Sequence, residues 1–74
     1  MAVANIQRIQ ILAAEYVALV DMMREGRYTD DAEWRQLASA RTLVHNELIA
    51  LTGITERKAM YAHCRNLLAR CPQG

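Results

Sequence analysis

The chain is short of everything that usually staples a small protein. Its 74 residues include two cysteines, one proline, three glycines and no phenylalanine. Cys64 and Cys71 lie seven apart in what reads as one helix. Two turns put their Cα atoms about 10 Å apart, beyond the reach of a disulfide. An internal cross-link is therefore excluded unless that helix unwinds, and two thiols without a secretory signal point to a reducing cytosol. The opening residues, Met1 to Asn5, carry no basic n-region. No apolar run approaches the roughly eighteen residues of a membrane span. Arg8, Gln10, Glu15 and Asp21 interrupt the best candidate. Internal repeats, low-complexity stretches and β-type alternation are also missing. The expectation is one cytoplasmic helical domain over residues 1–74, with no membrane partner. At this length a core supplies only about 3–5 kcal/mol, so oligomerisation is a natural supplement.

Chemical motifs are equally scarce. There is no Gly-rich phosphate loop, no Cys-x-x-Cys and no closely spaced carboxylate pair on an apolar seam. His63 and Cys64 are neighbours and so point about 100° apart on a helix, which suits neither a thiol–imidazole pair nor a metal site. The spacing of His45, His63, Cys64 and Cys71 fits no usual ligand pattern. The residues thus read as no enzyme, no metal and no cofactor, with the cysteines as small core hydrophobes and the histidines on the flanks.

What the chain does hold is helical periodicity. In the first segment, residues 3–25, Ile6, Ile9, Ala13, Tyr16, Val20 and Met23 follow at alternating steps of three and four. Leu12 and Leu19 widen the seam on one flank and Val17 on the other. Ile11, Ala14, Ala18 and Met22 leave only a thin polar strip. A helix apolar on most sides is buried on most sides, and a chain this small covers one face of it but hardly two. That surplus predicts a second chain, with Ile6, Ile9, Leu12, Ala13, Tyr16, Leu19, Val20 and Met23 forming a dimer or partner interface.

Gly26 supplies the C-terminal stop. Asp30 then caps a second helix over residues 31–51, with Glu33 three residues on to complete a capping box. Trp34, Leu37, Arg41, Val44, Leu48 and Leu51 make its seam. A connector of four or five residues folds the two helices back as an antiparallel hairpin. Arg41 faces the core in that seam, either snorkelling to the edge or pairing with Glu15, Asp21 or a partner's carboxylate. Gly53 ends this helix and Thr55 caps a third over residues 55–70. Its apolar line is Met60, Cys64, Leu67 and Cys71, with Tyr61 and Leu68 alongside. The fold class is all-α: a helical hairpin plus a shorter third helix, assembled as a homodimeric bundle.

Charge is unevenly spread although the net is only +1. Residues 1–34 set three arginines against six carboxylates, a net of −3, whereas residues 52–74 set four cations against Glu56, a net of +3. At the hairpin tip, Arg24, Arg27, Tyr28, Trp34 and Arg35 are the residue types enriched in interface hot spots. Trp34 serves equally to plug the open end of the hairpin. Size, architecture and surplus apolar surface favour a small non-catalytic module that binds a partner protein and inhibits or modulates it. The analogy is with compact phage and mobile-element proteins that act on host regulators or defence complexes.

A second reading rests on Leu48 to Ala62, Leu-Ile-Ala-Leu-Thr-Gly-Ile-Thr-Glu-Arg-Lys-Ala-Met-Tyr-Ala, which resembles the helix-turn-helix pattern of bacterial repressors. Gly53, Ile54 and Thr55 match its turn. Ile49 departs where the pattern has a small residue, and Ala59 departs where it has a larger aliphatic core residue. The resemblance covers about a fifth of the chain. It implies a DNA-binding transcriptional regulator using residues 48–65, with Thr55, Arg57, Lys58, Tyr61 and Arg65 on or near a recognition helix.

Overall fold

The computed structural model describes residues 3–70, with side chains from Ile6 onward. It contains three helices, α1 (Val3–Arg24), α2 (Asp31–Thr52) and α3 (Arg57–Arg70), and no strand among the described residues. None of the three is long and apolar enough to cross a membrane. The expected continuation of the apolar line to Cys71 lies outside the described residues.

Local backbone chemistry accounts for each boundary. Gly26 takes φ 68°, and the Arg27 and Gly26 amides donate to the carbonyls of Met22 and Met23 at 2.9 and 3.4 Å. That double closure is a Schellman stop, and it depends on a residue without a Cβ in the left-handed region. Asp30 is extended, and its carboxylate accepts from the Glu33 amide at 2.9 Å. The Glu33 carboxylate reaches back to the Thr29 amide and hydroxyl, both at 3.1 Å, rather than to the amide of the capping residue itself. Gly53, at φ 79°, donates to the Ile49 carbonyl at 2.7 Å and ends α2.

Beyond Gly53 the chain differs from the sequence expectation. The Thr52 hydroxyl donates to the Leu48 carbonyl and accepts from the Ile54 amide, closing the turn from the α2 side. Thr55 therefore has no capping role. The first backbone bond of α3 runs from Met60 to the Glu56 carbonyl at 2.9 Å, and the helix begins at Arg57.

α1 is the central element and contacts both α2 and α3. Its buried residues are Leu12, Ala13, Tyr16 and Val17, a stripe wide enough for two neighbours. Val44 and Leu48 of α2 close on it from one side, and Met60 and Cys64 of α3 from the other. Partner numbers fall along α2 as they rise along α1: Arg8 meets Glu47 at 2.6 Å, the Tyr16 ring lies 5.3 Å from that of His45, and Arg41 Nη1 approaches Met23 Sδ at 3.6 Å. The apolar surplus of α1 is thus covered largely within the chain, because α3 folds onto the second side of the same helix. Leu12, Ala13 and Tyr16, expected at an interface with another chain, belong to this intrachain core. The α2 seam is rotated from the expected one. His45 is buried, whereas Trp34 stays 40% exposed, and Leu43 and Leu51 face outward.

Candidate functional site

The three helices leave between them a cleft of about 310 Å³. Tyr16, Val20 and Arg24 enter it from successive turns of α1, a spacing of four that keeps all three on one face. Arg41 enters from α2. Arg57, Lys58 and Tyr61 enter from the first turns of α3. Four cations therefore line one concavity, with no carboxylate, imidazole or thiol among the lining residues.

These cations are not neutralised by ion pairs. Among the described residues the ion pairs are Arg8 with Glu47 and Arg27 with Glu25, both on exposed surface away from the cleft. Arg41 finds only the Met23 thioether, a weak acceptor. Its expected alternatives, Glu15 and Asp21, do not reach it. Asp21 instead accepts from the Tyr61 hydroxyl at 2.7 Å, and that bond, followed by desolvation, raises the Tyr61 pKa. The Arg24 guanidinium stacks 5.1 Å from the Tyr61 ring centroid, and Arg65 lies 6.0 Å away on the same ring. Tyr61 is thereby fixed as a wall of the cleft, held by a carboxylate at its hydroxyl and by cations at its face.

Below the cleft is a buried polar layer. Tyr16 is 1% exposed and its hydroxyl makes no hydrogen bond among the described residues. Burial raises its pKa against the pull of Arg41 and Arg57. His45 packs beside it, and its Nε2 is buried without a hydrogen-bond partner. Burial, then the fields of Arg57 and Arg41, lowers the His45 pKa. Both residues register the positive potential of the cleft. Cys64, fully buried behind them, is pushed up to about 11 by burial and is an inert core thiol.

The residues singled out from the sequence fall into three environments. Of the expected interface on α1, Ile9, Leu19 and Val20 are partly buried against the core, Met23 is half-buried and Ile6 is 49% exposed. At the tip, Tyr28 is half-buried, Trp34 and Arg35 are exposed and Arg27 pairs with Glu25, but Arg24 turns away to the cleft. On α3, Arg57, Lys58 and Tyr61 line the cleft, Arg65 stacks outside it and Thr55 is an exposed linker residue. The sequence reading missed the meeting of Arg24 and Arg41 with the α3 cations. No periodicity announces which face of α1 the third helix will cover.

Two other concavities are less organised. A groove beside Gln7, Ile11, Ala14, Glu15 and Leu68 has apolar walls, and a shallow depression follows Ala38, Ser39, Thr42 and Leu43. No group of three or more His, Cys, Asp or Glu among the described residues is arranged to hold a metal ion. No protein-family model, curated protein or solved structure matches this chain, so the cleft itself carries the functional reading.

Proposed function

We propose that this protein is a non-catalytic binding module whose basic cleft receives an acidic segment of a partner protein, and that by occupying that segment it inhibits or modulates the partner. The observation that carries this reading is the set of Arg24, Arg41, Arg57 and Lys58 around one cleft with no carboxylate lining it. Uncompensated like charges lower the stability of a small fold, and an anionic ligand in the concavity would offset that cost. The lining offers donors and two phenols but no carboxylate or imidazole, which favours recognition over catalysis.

The α1–α2 pairs that run in opposite senses support an antiparallel hairpin as the frame of the module. A homodimer belongs to the same reading, on a different surface from the seam predicted by sequence. Ile11, Ala14 and Ala18 are exposed on consecutive turns of α1, beside exposed Ile6. The small Ala14 and Ala18 following Ile11 would let a second α1 approach closely along this exposed stripe. The analogy with phage and mobile-element inhibitors fits a compact module of this kind and gives the class of partner, a regulator or defence complex.

Nucleic acid is the second reading, favoured by Arg57, Lys58 and Arg65 standing without ion pairs on one helix. Two features count against a repressor-type recognition helix. Met60 and Cys64 are the core residues of α3, whereas Ala59, which that pattern places in the core, is exposed. Arg57 and Lys58, though exposed, also open on the cleft together with Arg24 and Arg41 of the other two helices, so these cations do not form a face of α3 alone.

Fluorescence anisotropy with a labelled poly-glutamate peptide and with a labelled duplex, each at low and physiological salt, separates the two. Saturable binding of the peptide with weak, salt-abolished binding of the duplex supports the protein-binding module. Tighter binding of the duplex, with a steep salt slope, would replace it with the nucleic-acid reading.

A further inference from the structure

Three features of the cleft are more than a lone carboxylate requires. The first is the number of cations: a carboxylate brings one charge and two acceptor oxygens to a recess lined by Arg24, Arg41, Arg57 and Lys58. The second is the Tyr16 hydroxyl, on a side chain 1% exposed that lines the cleft and has no hydrogen-bond partner among the described residues. The hydroxyl is not among the buried polar atoms left without a partner, so it opens on the cleft, where it can donate to an anion. The third is the start of α3. No described side chain caps it, and the amides of Arg57, Lys58 and Ala59 have no acceptor, so the positive end of the helix dipole adds to the side-chain cations of the same first turn. A phosphate monoester matches this donor set. It carries a charge of about −1.5 to −2 at neutral pH and three acceptor oxygens, enough to engage more than one of the three guanidinium groups together with the helix terminus.

We infer that the cleft anchors a phosphate monoester carried on a side chain of the partner protein. This rests on the acidic-partner reading above and refines it: the anchor is a phosphorylated residue rather than an unmodified Asp or Glu. The cleft volume, about 310 Å³, exceeds what a bare phosphate ion fills, and Val20 and the Tyr61 ring provide apolar wall for the group that bears the phosphate. Asp21 is not among the cleft-lining residues; its carboxylate lies behind the Tyr61 hydroxyl that it accepts from, and the four lining cations outnumber its single charge.

The test uses the full chain, labelled with nitrogen-15, titrated in separate samples with phenyl phosphate, benzoate and inorganic phosphate. The expected result is saturable shifts confined to the amides of Arg57, Lys58 and Ala59 and to the Arg41 Nε–H. Phenyl phosphate should bind about tenfold tighter than benzoate, losing affinity as pH falls through the second phosphate ionisation near about 6. Arg41→Met, folded by the dispersion of its spectrum, should abolish the shifts. Equal affinity for benzoate would overturn the phosphate assignment while leaving the acidic-partner reading standing. Equal affinity for inorganic phosphate would overturn the side-chain part and make the cleft a receptor for the free ion. No saturable binding of any of the three, or shifts scattered over the surface, would overturn both this inference and the reading it rests on.

Discussion

Replacing Arg41 by methionine should make the protein more stable while removing its ability to hold an anion. In the structure the guanidinium gives up water on its α1 side and gains only the Met23 thioether at 3.6 Å. It also shares a cleft with Arg24, Arg57 and Lys58. Taken as a sphere, a cavity of 310 Å³ is about 8 Å across. Two unit charges at that distance repel by about 2 kcal/mol at an effective dielectric of about 20. Physiological salt, with a screening length of about 8 Å, leaves less than about 1 kcal/mol of each repulsion. Three neighbours then destabilise the charge by about 2 kcal/mol, and methionine keeps much of the stem packing that arginine supplied. Allowing for the stem atoms lost, the expected net gain is about 1 kcal/mol, or about 4–8 °C in Tm for a domain of this size. Thermal unfolding followed by far-UV circular dichroism reads this directly, and the gain should shrink as salt is raised. A loss of stability at low salt would refute the reasoning, because it would mean that Arg41 has a structural anionic partner and that the cleft is not electrostatically strained.

Other perturbations test separate parts of the structure. Burial and the Arg57 and Arg41 cations hold His45 below its ordinary value of 6.5, so its neutral form stabilises the fold. That contribution is complete above about pH 6.5 and is lost as pH falls through the lowered folded value, because the unfolded chain then binds the proton first. The urea midpoint should therefore drop between pH 7.5 and 5, and His45→Phe should flatten the drop; a wild-type midpoint that stays level would contradict it. Cys64, fully buried and pushed up to about 11, should resist a thiol reagent at neutral pH until the protein unfolds, as mass mapping of the modified peptide would show. Asp30→Ala removes the acceptor for the Glu33 amide and should cost about 1 kcal/mol in chemical denaturation. Leu48→Ala, at a position with no exposed surface, should cost about 2–5 kcal/mol, comparable to the whole stability expected of a core this small, and leave the chain mostly unfolded by circular dichroism.

The legible parts of this fold are those decided over a few residues. Gly26, the Asp30–Glu33 cap and Gly53 each act through a backbone geometry that neighbouring residues fix, and all three appear where sequence signals place them. The α3 start is the exception. Thr55 looks like a cap in isolation, but the Thr52 hydroxyl takes the Ile54 amide one turn earlier and the helix opens at Arg57 instead. Helix pairing is not local in this way. The breadth of the α1 stripe is visible in the sequence, yet nothing in it says whether α3 or a second chain supplies the extra cover. That is why Leu12, Ala13 and Tyr16 read as interface when they are core.

The cleft shows the same division. Arg24 stands out as a hot-spot type at the tip, Arg57, Lys58 and Tyr61 as a helix face, and Arg41 as an oddity in an apolar seam. Each is noticeable by its own chemistry, but their convergence depends on α3 lying against α1. Tyr16 and His45 give the least warning. A tyrosine in an apolar seam and a histidine on its flank look ordinary until the fold places one with an unpaired hydroxyl at the cleft and the other with an unpartnered Nε2 beside it.

The most direct test of the basic cleft as the binding surface compares two charge-reversal variants by titration calorimetry against the same poly-glutamate peptide. One carries Arg57→Glu and Lys58→Glu, both on exposed positions of α3, and the other carries Arg35→Glu, at an exposed position of α2 that does not line the cleft. The cleft variant should stay folded and lose the peptide, while the tip variant keeps nearly the wild-type affinity. Binding retained by the cleft variant, or lost equally by both, would contradict the assignment and return the tip residues Arg27, Tyr28, Trp34 and Arg35 to consideration as the partner surface.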